Sequence, residues 1–403
     1  MNISTFGSLV SGEMVMLTMY IEVLDLYNAA EAAYGNGQLQ HAQELYRKAL
    51  GIAEAHDEVP AWLKPVLRRA AADALVGADR LREALSLLAP LSDADGAEIK
   101  SCCVYGNLTD HIEIGQELPV SLPTIERAYT EAESYLRSAG FTSWKSRILF
   151  YKAELQLARG MTHDALSTAQ EAWSVWEKDC PKLWGTTHLE QLFQISLALR
   201  DAAQAARYLR LWEEQEPREE KNYRIRESAH AQMKSKLARM ERRLDEAVDY
   251  ARRAVQSVEL SDWGGTRYAA AQTCVRAFLV AGEHERARDL LARLSVMRRS
   301  ESGHDRYAVQ LLRGDYHLAR ARVAAHLPQA DDEFDTDFTL PERTGHFGDA
   351  PRHELKKART AYGAALAVGE WIDAQLQCQR RRREIAARLA RVEAIERAPT
   401  VAF

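Results

Sequence analysis

Cysteine is scarce in this chain, and the five that occur, Cys102, Cys103, Cys180, Cys274 and Cys378, are scattered and odd in number. Such usage excludes a disulfide framework and fits a reducing compartment, so a cytoplasmic location is expected. No cysteine pair has zinc-finger spacing, and the twelve histidines include no His-Glu-x-x-His, so no metal site is expected. Long apolar runs are also missing. None reaches the roughly 20 residues that a bilayer crossing needs, which argues against a membrane protein. The apolar start of the chain holds Glu13 and no early lysine or arginine, unlike a secretory leader, which begins with positive charge. A basic excess is absent too: 53 Lys and Arg against 58 Asp and Glu leave a formal charge of -5. That balance supplies no broad positive field for nucleic acid.

The signatures of common chemistries are equally lacking. There is no glycine-rich phosphate loop with a following lysine, and Gly264-Gly265-Thr266 reads as a turn between units. Gly-x-Ser-x-Gly is absent. His111-Ile-Glu113 matches the opening of a deaminase motif, but the later cysteine pair is missing. The adjacent Cys102 and Cys103 read as buried small residues of a helix rather than a redox or metal pair. No cofactor and no catalytic residue are therefore assigned. An enzyme would have to assemble its site from distant residues, and Asp110, His111 and Glu113 would be the candidates.

What the chain does have is a recurring frame. Four times a glycine is followed five residues later by an alanine within helical sequence: Gly37/Ala42, Gly160/Ala165, Gly282/Ala287 and Gly369/Ala374. The frame recurs without glycine at Ala84, Ala205 and Ala247. The steps Ala42–Ala84, Ala165–Ala205 and Ala205–Ala247 are 42, 40 and 42 residues, and the longer intervals are close to twice that. A fixed period of this size means stacked units, none of which buries its apolar face alone. Each unit reads as helix, tight turn, helix. In the first, apolar residues fall three or four apart from Leu24 to Tyr34 and again from Leu39 to Leu50, the helical period. Gly35 and Gly37 supply the turn between them. Ala42 is small enough to let two helices approach, and Tyr46 and Ala49 continue the seam.

Ala30, Gly37, Ala42, Tyr46 and Ala49 resemble the small-glycine-alanine-aromatic-alanine pattern of the tetratricopeptide repeat. Ala153, Gly160, Ala165, Ala169 and Ala172 repeat it, and Leu209, Trp212 and Pro217 follow Ala205 where the repeat normally closes. The period is nearer 40 than the usual repeat of about 34, and the first-helix tryptophan is absent. The longer repeat is similar to those of kinesin light chains and of bacterial peptide-sensing regulators. The resemblance covers roughly residues 20 to 390 and implies an all-α, right-handed superhelix, an α-solenoid of stacked helix-turn-helix units.

Units are expected at about 22–58, 62–92, 98–139, 144–178, 186–216, 222–259, 266–298 and 305–395. Residues 1–21 form an N-terminal segment, 22–328 the repeats, 352–397 a helix pair that caps the solenoid and 398–403 a tail. Between them lies an acidic insert, 329–351, punctuated by glycine and proline and expected to be flexible. Two readings of the insert compete: a solvated loop, or an internal ligand whose Phe334, Phe338 and Leu340, set among carboxylates, dock into the protein's own basic groove. Arg380-Arg-Arg-Arg383, with Arg388 and Arg391, reads as the polar cap of the terminal helix.

In the family that the repeats resemble, the first helix of each pair lines a concave groove. The resemblance assigns to it Tyr27, Glu31 and Tyr34 from the first unit, Arg69 and Asp73 from the second, and Phe150 and Glu154 from the fourth. Gln194, Lys236, Arg239, Gln272 and Arg276 follow, with Arg224, Arg226 and Lys234 as further positive charge nearby. The early part of this groove is aromatic and mixed in charge, the later part basic. The implied partner is an extended peptide or protein segment with an acidic end, anchored by Tyr27, Tyr34 and Phe150 and oriented by Lys236, Arg239 and Arg276. Arg239 and Arg276 are expected to be exposed, so that reversing them spares the fold. The implied function is a non-enzymatic binding scaffold or adaptor. The alternative is a regulatory receptor that a peptide or small ligand closes.

Overall fold

The computed structural model describes residues 3–36, 38–57, 59–77, 83, 86–87, 142–179, 185–215, 223–259, 264–297, 303–331, 333–334 and 349–397. Most described residues are helical, and none is in a strand. The helices are α1 (Ile3–Gly35), α2 (Leu39–Ala55), α3 (Leu63–Gly77), α4 (Thr142–Ala158), α5 (Thr162–Asp179), α6 (Gly185–Ala198) and α7 (Ala202–Glu214). They continue with α8 (Tyr223–Met240), α9 (Leu244–Ser257), α10 (Gly264–Val280), α11 (His284–Met297), α12 (Gly303–Ala324), α13 (Asp349–Gln375) and α14 (Arg380–Arg397). Two compact units result: the first contains α1–α3, the second α4–α14 apart from the first residue of α8 and of α10. Ala84, Cys102, Cys103, Asp110, His111, Glu113, Phe338 and Leu340 lie outside the described residues.

The alanine frame is the packing seam. Ala42, Ala165, Ala205, Ala247 and Ala287 are all completely buried. In α2 the buried set Leu39, Ala42, Gln43, Tyr46, Ala49, Leu50 and Ala53 forms one helical stripe, as its spacing requires. The one polar member is satisfied, since Gln43 Nε2 donates to the Ala74 carbonyl oxygen at 3.0 Å.

The turns preceding Ala165, Ala205, Ala247 and Ala287 share one geometry. Gly160 and Gly282 take φ of 80° and 79°. The next residue's N–H reaches back five positions, Met161 to the Gln156 carbonyl at 2.9 Å and Glu283 to that of Phe278 at 2.8 Å. This is the Schellman closure of a helix, which favours glycine at the left-handed position. The two frames without glycine close identically, with Arg200 at φ 61° and Arg242 at 62°. Asp201 N–H and Arg243 N–H make the matching bonds at 2.9 and 2.8 Å. A left-handed non-glycine residue costs on the order of 1 kcal/mol, so something else retains arginine at these two turns.

The fourth glycine frame is corrected by the structure. Gly369 sits inside the unbroken helix α13, and Ala374 is exposed. A Cβ at Gly369 would stand 3.0 Å from the Tyr307 ring and 3.1 Å from Arg381 Cβ, so glycine is there for close approach and not for a turn. The helix ends instead at Gln375, and the turn that closes it passes through Gln377, φ 50°.

In the second unit the repeat period also sets contacts within and between pairs. Ser146 Oγ donates to the Ala172 carbonyl at 2.9 Å, and Ser228 Oγ, two repeat lengths on, donates to that of Ala254 at 2.8 Å. Gln191 Nε2 donates to the Phe150 carbonyl at 2.8 Å, and Lys236 Nζ to Gln194 Oε1 at 3.1 Å, joining α4 to α6 and α6 to α8.

Candidate functional site

The residues assigned to the groove fall on the first helices of the successive pairs. In the first, the Tyr27 and Tyr46 rings lie 6.0 Å apart, and Tyr46 Oη donates to Glu31 Oε1 at 2.6 Å. Burial, then the neighbouring Glu31, push both phenols above the ordinary tyrosine range. Arg69 and Asp73 act on Tyr27 with opposite signs, and Tyr34 packs beside Ala30, Ala42 and Tyr46.

In the second unit, Phe150 and Glu154 on α4, Gln194 on α6, Lys236 and Arg239 on α8, and Gln272 and Arg276 on α10 occupy successive first helices. Phe150 meets the His188 ring edge-on at 5.4 Å. Glu154 and Gln272 are half-buried. Lys236 is half-buried, and burial lowers its pKa, while Glu333 and Glu190 partly sustain the charge.

Arg239 overturns the expectation of exposure: its side chain has 0 % accessibility. Arg276 is 16 % exposed. Most of their partners come from a strap, Ala325–Asp331 with Glu333 and Phe334, that follows α12 and lies on the same face. Arg239 Nη2 is hydrogen-bonded to Glu333 Oε2, and its Nε stands 3.7 Å from Asp331 Oδ2. Arg276 Nε is 3.6 Å from Glu333 Oε2 and its Nη1 3.5 Å from Asp315 Oδ2 on α12. Burial opposes ionisation of Glu333, but Arg276 and Arg239 outweigh it and hold the carboxyl well below the usual carboxylate range. Burial pushes Asp331 upward. For Arg276 burial works against the charge, and Glu333 and Asp315 raise its pKa nonetheless. The Phe334 ring lies 5.0 Å from the Arg239 guanidinium and packs against the α6–α7 core.

Both turn arginines hold this strap. Arg200 Nη1 donates to the Phe334 carbonyl at 2.8 Å, and Arg242 Nη2 to that of Gln329 at 3.3 Å. The backbone cost at these turns thus accompanies a side chain that glycine lacks. The strap is internally ordered as well: Glu333 N–H and Phe334 N–H both turn back on Asp331 at 3.0 Å. Of the two readings of the insert, Asp331–Phe334 follow the internal-ligand one; the stretch 335–348 lies outside the described residues.

The terminal arginine run is also unlike a solvated cap. Arg381, Arg388 and Arg391 are buried, while Arg380, Arg382 and Arg383 are exposed. Arg388 Nε bonds Asp315 Oδ1 at 2.8 Å, where Tyr362 Oη also donates at 2.8 Å. Its Nη1 reaches Glu384 Oε1 at 3.1 Å, and Arg380 Nη1 donates to the Leu157 carbonyl of α4 at 2.7 Å. Between the α4–α5 turn, the end of α6, the strap tip and α14 lies a cavity of about 850 Å³. Two of the further basic residues turn away from this face. Lys234 pairs with Glu213 at 2.8 Å, and Arg226 stacks over Trp212 at 4.5 Å.

Sequence reasoning missed Asp315, Asp331, Glu333, Arg200 and Arg242 as parts of this face. The turn arginines carried a legible signal, since they stand where the frame asks for glycine. Among the described residues no cluster of three or more metal-ligating side chains occurs, and no helix is long and apolar enough to cross a membrane.

No family model matches the chain, and no curated protein matches it. Solved structures do. A Rap protein complexed with competence and sporulation factor aligns at 12 % identity and a TM-score of 0.50, over 94 % of this chain and 98 % of that one. A tetratricopeptide repeat protein from Parabacteroides merdae aligns at 15 % identity and a TM-score of 0.38, over 88 % of this chain and 98 % of that one. The fold is an all-α helical repeat, as in the Rap protein.

Proposed function

We propose that the chain is a binding scaffold that holds an extended peptide or protein segment on the first-helix face of its second unit. The observation that carries this reading is the strap. A segment outside the repeat frame, with carboxylates and an aromatic ring, lies on the face that the repeat pattern nominates, and arginines bind its side chains and its main chain. A face that takes one such segment in cis has the chemistry to take another in trans. The partner's acidic end would meet Lys236 and the arginines, while Phe150 and Gln194 offer aromatic and amide contacts further along.

A second reading, a receptor whose shape responds to the bound segment, is favoured by the fold's similarity to a Rap protein solved with competence and sporulation factor. Small-angle scattering separates the two, since only a receptor compacts on adding the ligand. The primary test is a displayed library of short peptides panned on the full chain. Extended sequences should be enriched, and Gln194→Trp with Gln272→Trp should abolish the enrichment while the helical circular dichroism stays unchanged. No enrichment, or enrichment that survives both bulky substitutions, overturns the reading.

A further inference from the structure

We infer that the place where the α4–α5 turn meets the start of α14 is a gate, a seam that parts to let a peptide segment reach the first-helix face of the second unit. The inference rests on the peptide-binding reading above and adds the way in.

Stacked repeats touch their sequence neighbours, so a contact between the first and last pairs of a row is not a product of the stacking itself. The second unit has such a contact. Arg380 Nη1 on α14 donates to the Leu157 carbonyl on α4 at 2.7 Å, across 223 residues. A Cβ placed on Gly160 would stand 3.5 Å from Arg380 Cβ and 3.8 Å from its Cδ. The arginine stem therefore lies along a turn whose own residue has no side chain. The row of helix pairs returns on itself here, and the 850 Å³ cavity is lined from both sides of the join. Gln194 of the nominated face and Glu333 of the strap border the same cavity, so the face and the seam share one space.

The Arg380 contact is of a kind that parts readily. Gly160 and Arg380 are both exposed, so water can take over the arginine's hydrogen bond. The Leu157 carbonyl keeps a partner when the seam opens, because the Gly160 N–H also donates to it at 3.0 Å. The rest of the row is braced. Arg388 and Tyr362 both bind Asp315, which fixes α13 and α14 to α12. The strap fixes α8, α10 and the α6–α7 turn to the end of α12 through Arg239, Arg276 and Arg200. The α4–α5 turn lies outside both braces, so it is the side of the seam that moves.

Trapping the seam tests the gate without any partner. The 3.5 Å separation lies at the short end of the roughly 3.5–4.5 Å between the Cβ atoms of a disulfide. Gly160→Cys with Arg380→Cys should therefore cross-link on mild oxidation, and Cys378→Ala in the same chain removes the nearest competing thiol. Gln194→Cys, added to that chain, reports access through its reaction with a maleimide carried on a Gly-Ser peptide, read at position 194 by mass spectrometry. Oxidation should slow this labelling by about tenfold or more, and reductant should restore it. A site open in about one molecule in ten reacts about tenfold more slowly than one permanently open. Arg380→Ala, which needs no cross-link, should accordingly speed labelling of a chain carrying Gln194→Cys by up to about tenfold. Circular dichroism checks that each variant is folded, and Arg380→Ala decides the matter if the strained turn rejects Gly160→Cys. Labelling indifferent to oxidation and to Arg380→Ala overturns the gate. A folded double-cysteine chain that does not cross-link overturns the closed seam. Peptide enrichment from the displayed library that persists on the cross-linked chain overturns the seam as the way in, while the broader binding reading would still stand.

Discussion

The nominated faces of the two units use the same repeat positions to opposite ends. In the first unit, Tyr27, Glu31 and Tyr46 satisfy one another within a single helix pair, through a ring contact and a 2.6 Å hydrogen bond. In the second, Arg239 and Arg276 meet carboxylates from a segment outside the frame, with Glu333 lying 94 residues from Arg239. The first face is closed by its neighbours, and the second by a distant strap. A repeat frame decides where side chains stand; what they meet depends on segments that the frame does not describe.

The largest expected effect breaks this comparison at its centre. Arg239→Glu with Arg276→Glu would place carboxylates against Asp331, Glu333 and Asp315 in a buried setting. Removing one partner of a buried ion pair costs about 3–5 kcal/mol, and reversing the charge costs more. Arg69→Glu on the half-buried first face should cost about 1 kcal/mol or less. Urea denaturation measures both. Equal costs would mean that the two faces do not differ in the way their contacts imply.

The seam was legible because a small residue repeated at a fixed interval has one efficient explanation, close helix approach. Ala42, Ala165, Ala205, Ala247 and Ala287 all fulfil it. Gly369 with Ala374 copied the pattern without the physics: a helix that packs tightly on Tyr307 needs a missing Cβ, and sequence alone does not separate that need from a turn. Burial of Arg239 was not legible either. Its helix face reads as polar, and its partners follow Pro328, where the helical pattern stops. The groove positions came from the resemblance. The repeat frame did not place the strap that lies beside Arg239 and Arg276.

Acid should affect the second unit in a way that sharpens the contrast. Burial lowers the His188 pKa to about 4. The unfolded chain, with a histidine near 6.5, binds more protons between those values, so stability falls as the pH drops from about 6.5 to 4. The full loss from this residue is on the order of 3 kcal/mol. Glu333 acts in the same sense further down, since its depressed pKa stabilises the fold only while it remains ionised. In the first unit Tyr46 is raised, so its contribution holds up to about pH 10 and fades above it, as does that of Tyr307 in the second. The acid limb is therefore the discriminating one. Denaturation at pH 7 and pH 4.5 should differ markedly for the unmodified chain and much less for His188→Gln; an unchanged slope would mean that His188 is not the group titrating.

The smallest expected effect on stability tests why arginine stands at two turns. Arg200→Gly and Arg242→Gly each relieve a left-handed backbone by about 1 kcal/mol and lose a strap hydrogen bond of about the same worth. Net stability should hardly change, yet amide exchange at residues 329–334 should accelerate. At the glycine turns the balance has no second term, so Gly160→Ala and Gly282→Ala should simply destabilise by about 1 kcal/mol. Arginine variants that gain the full backbone relief with strap protection intact would show that these side chains do not hold the strap. Near-zero stability change with faster exchange would mean that two repeats give up the best turn residue to keep the strap in place.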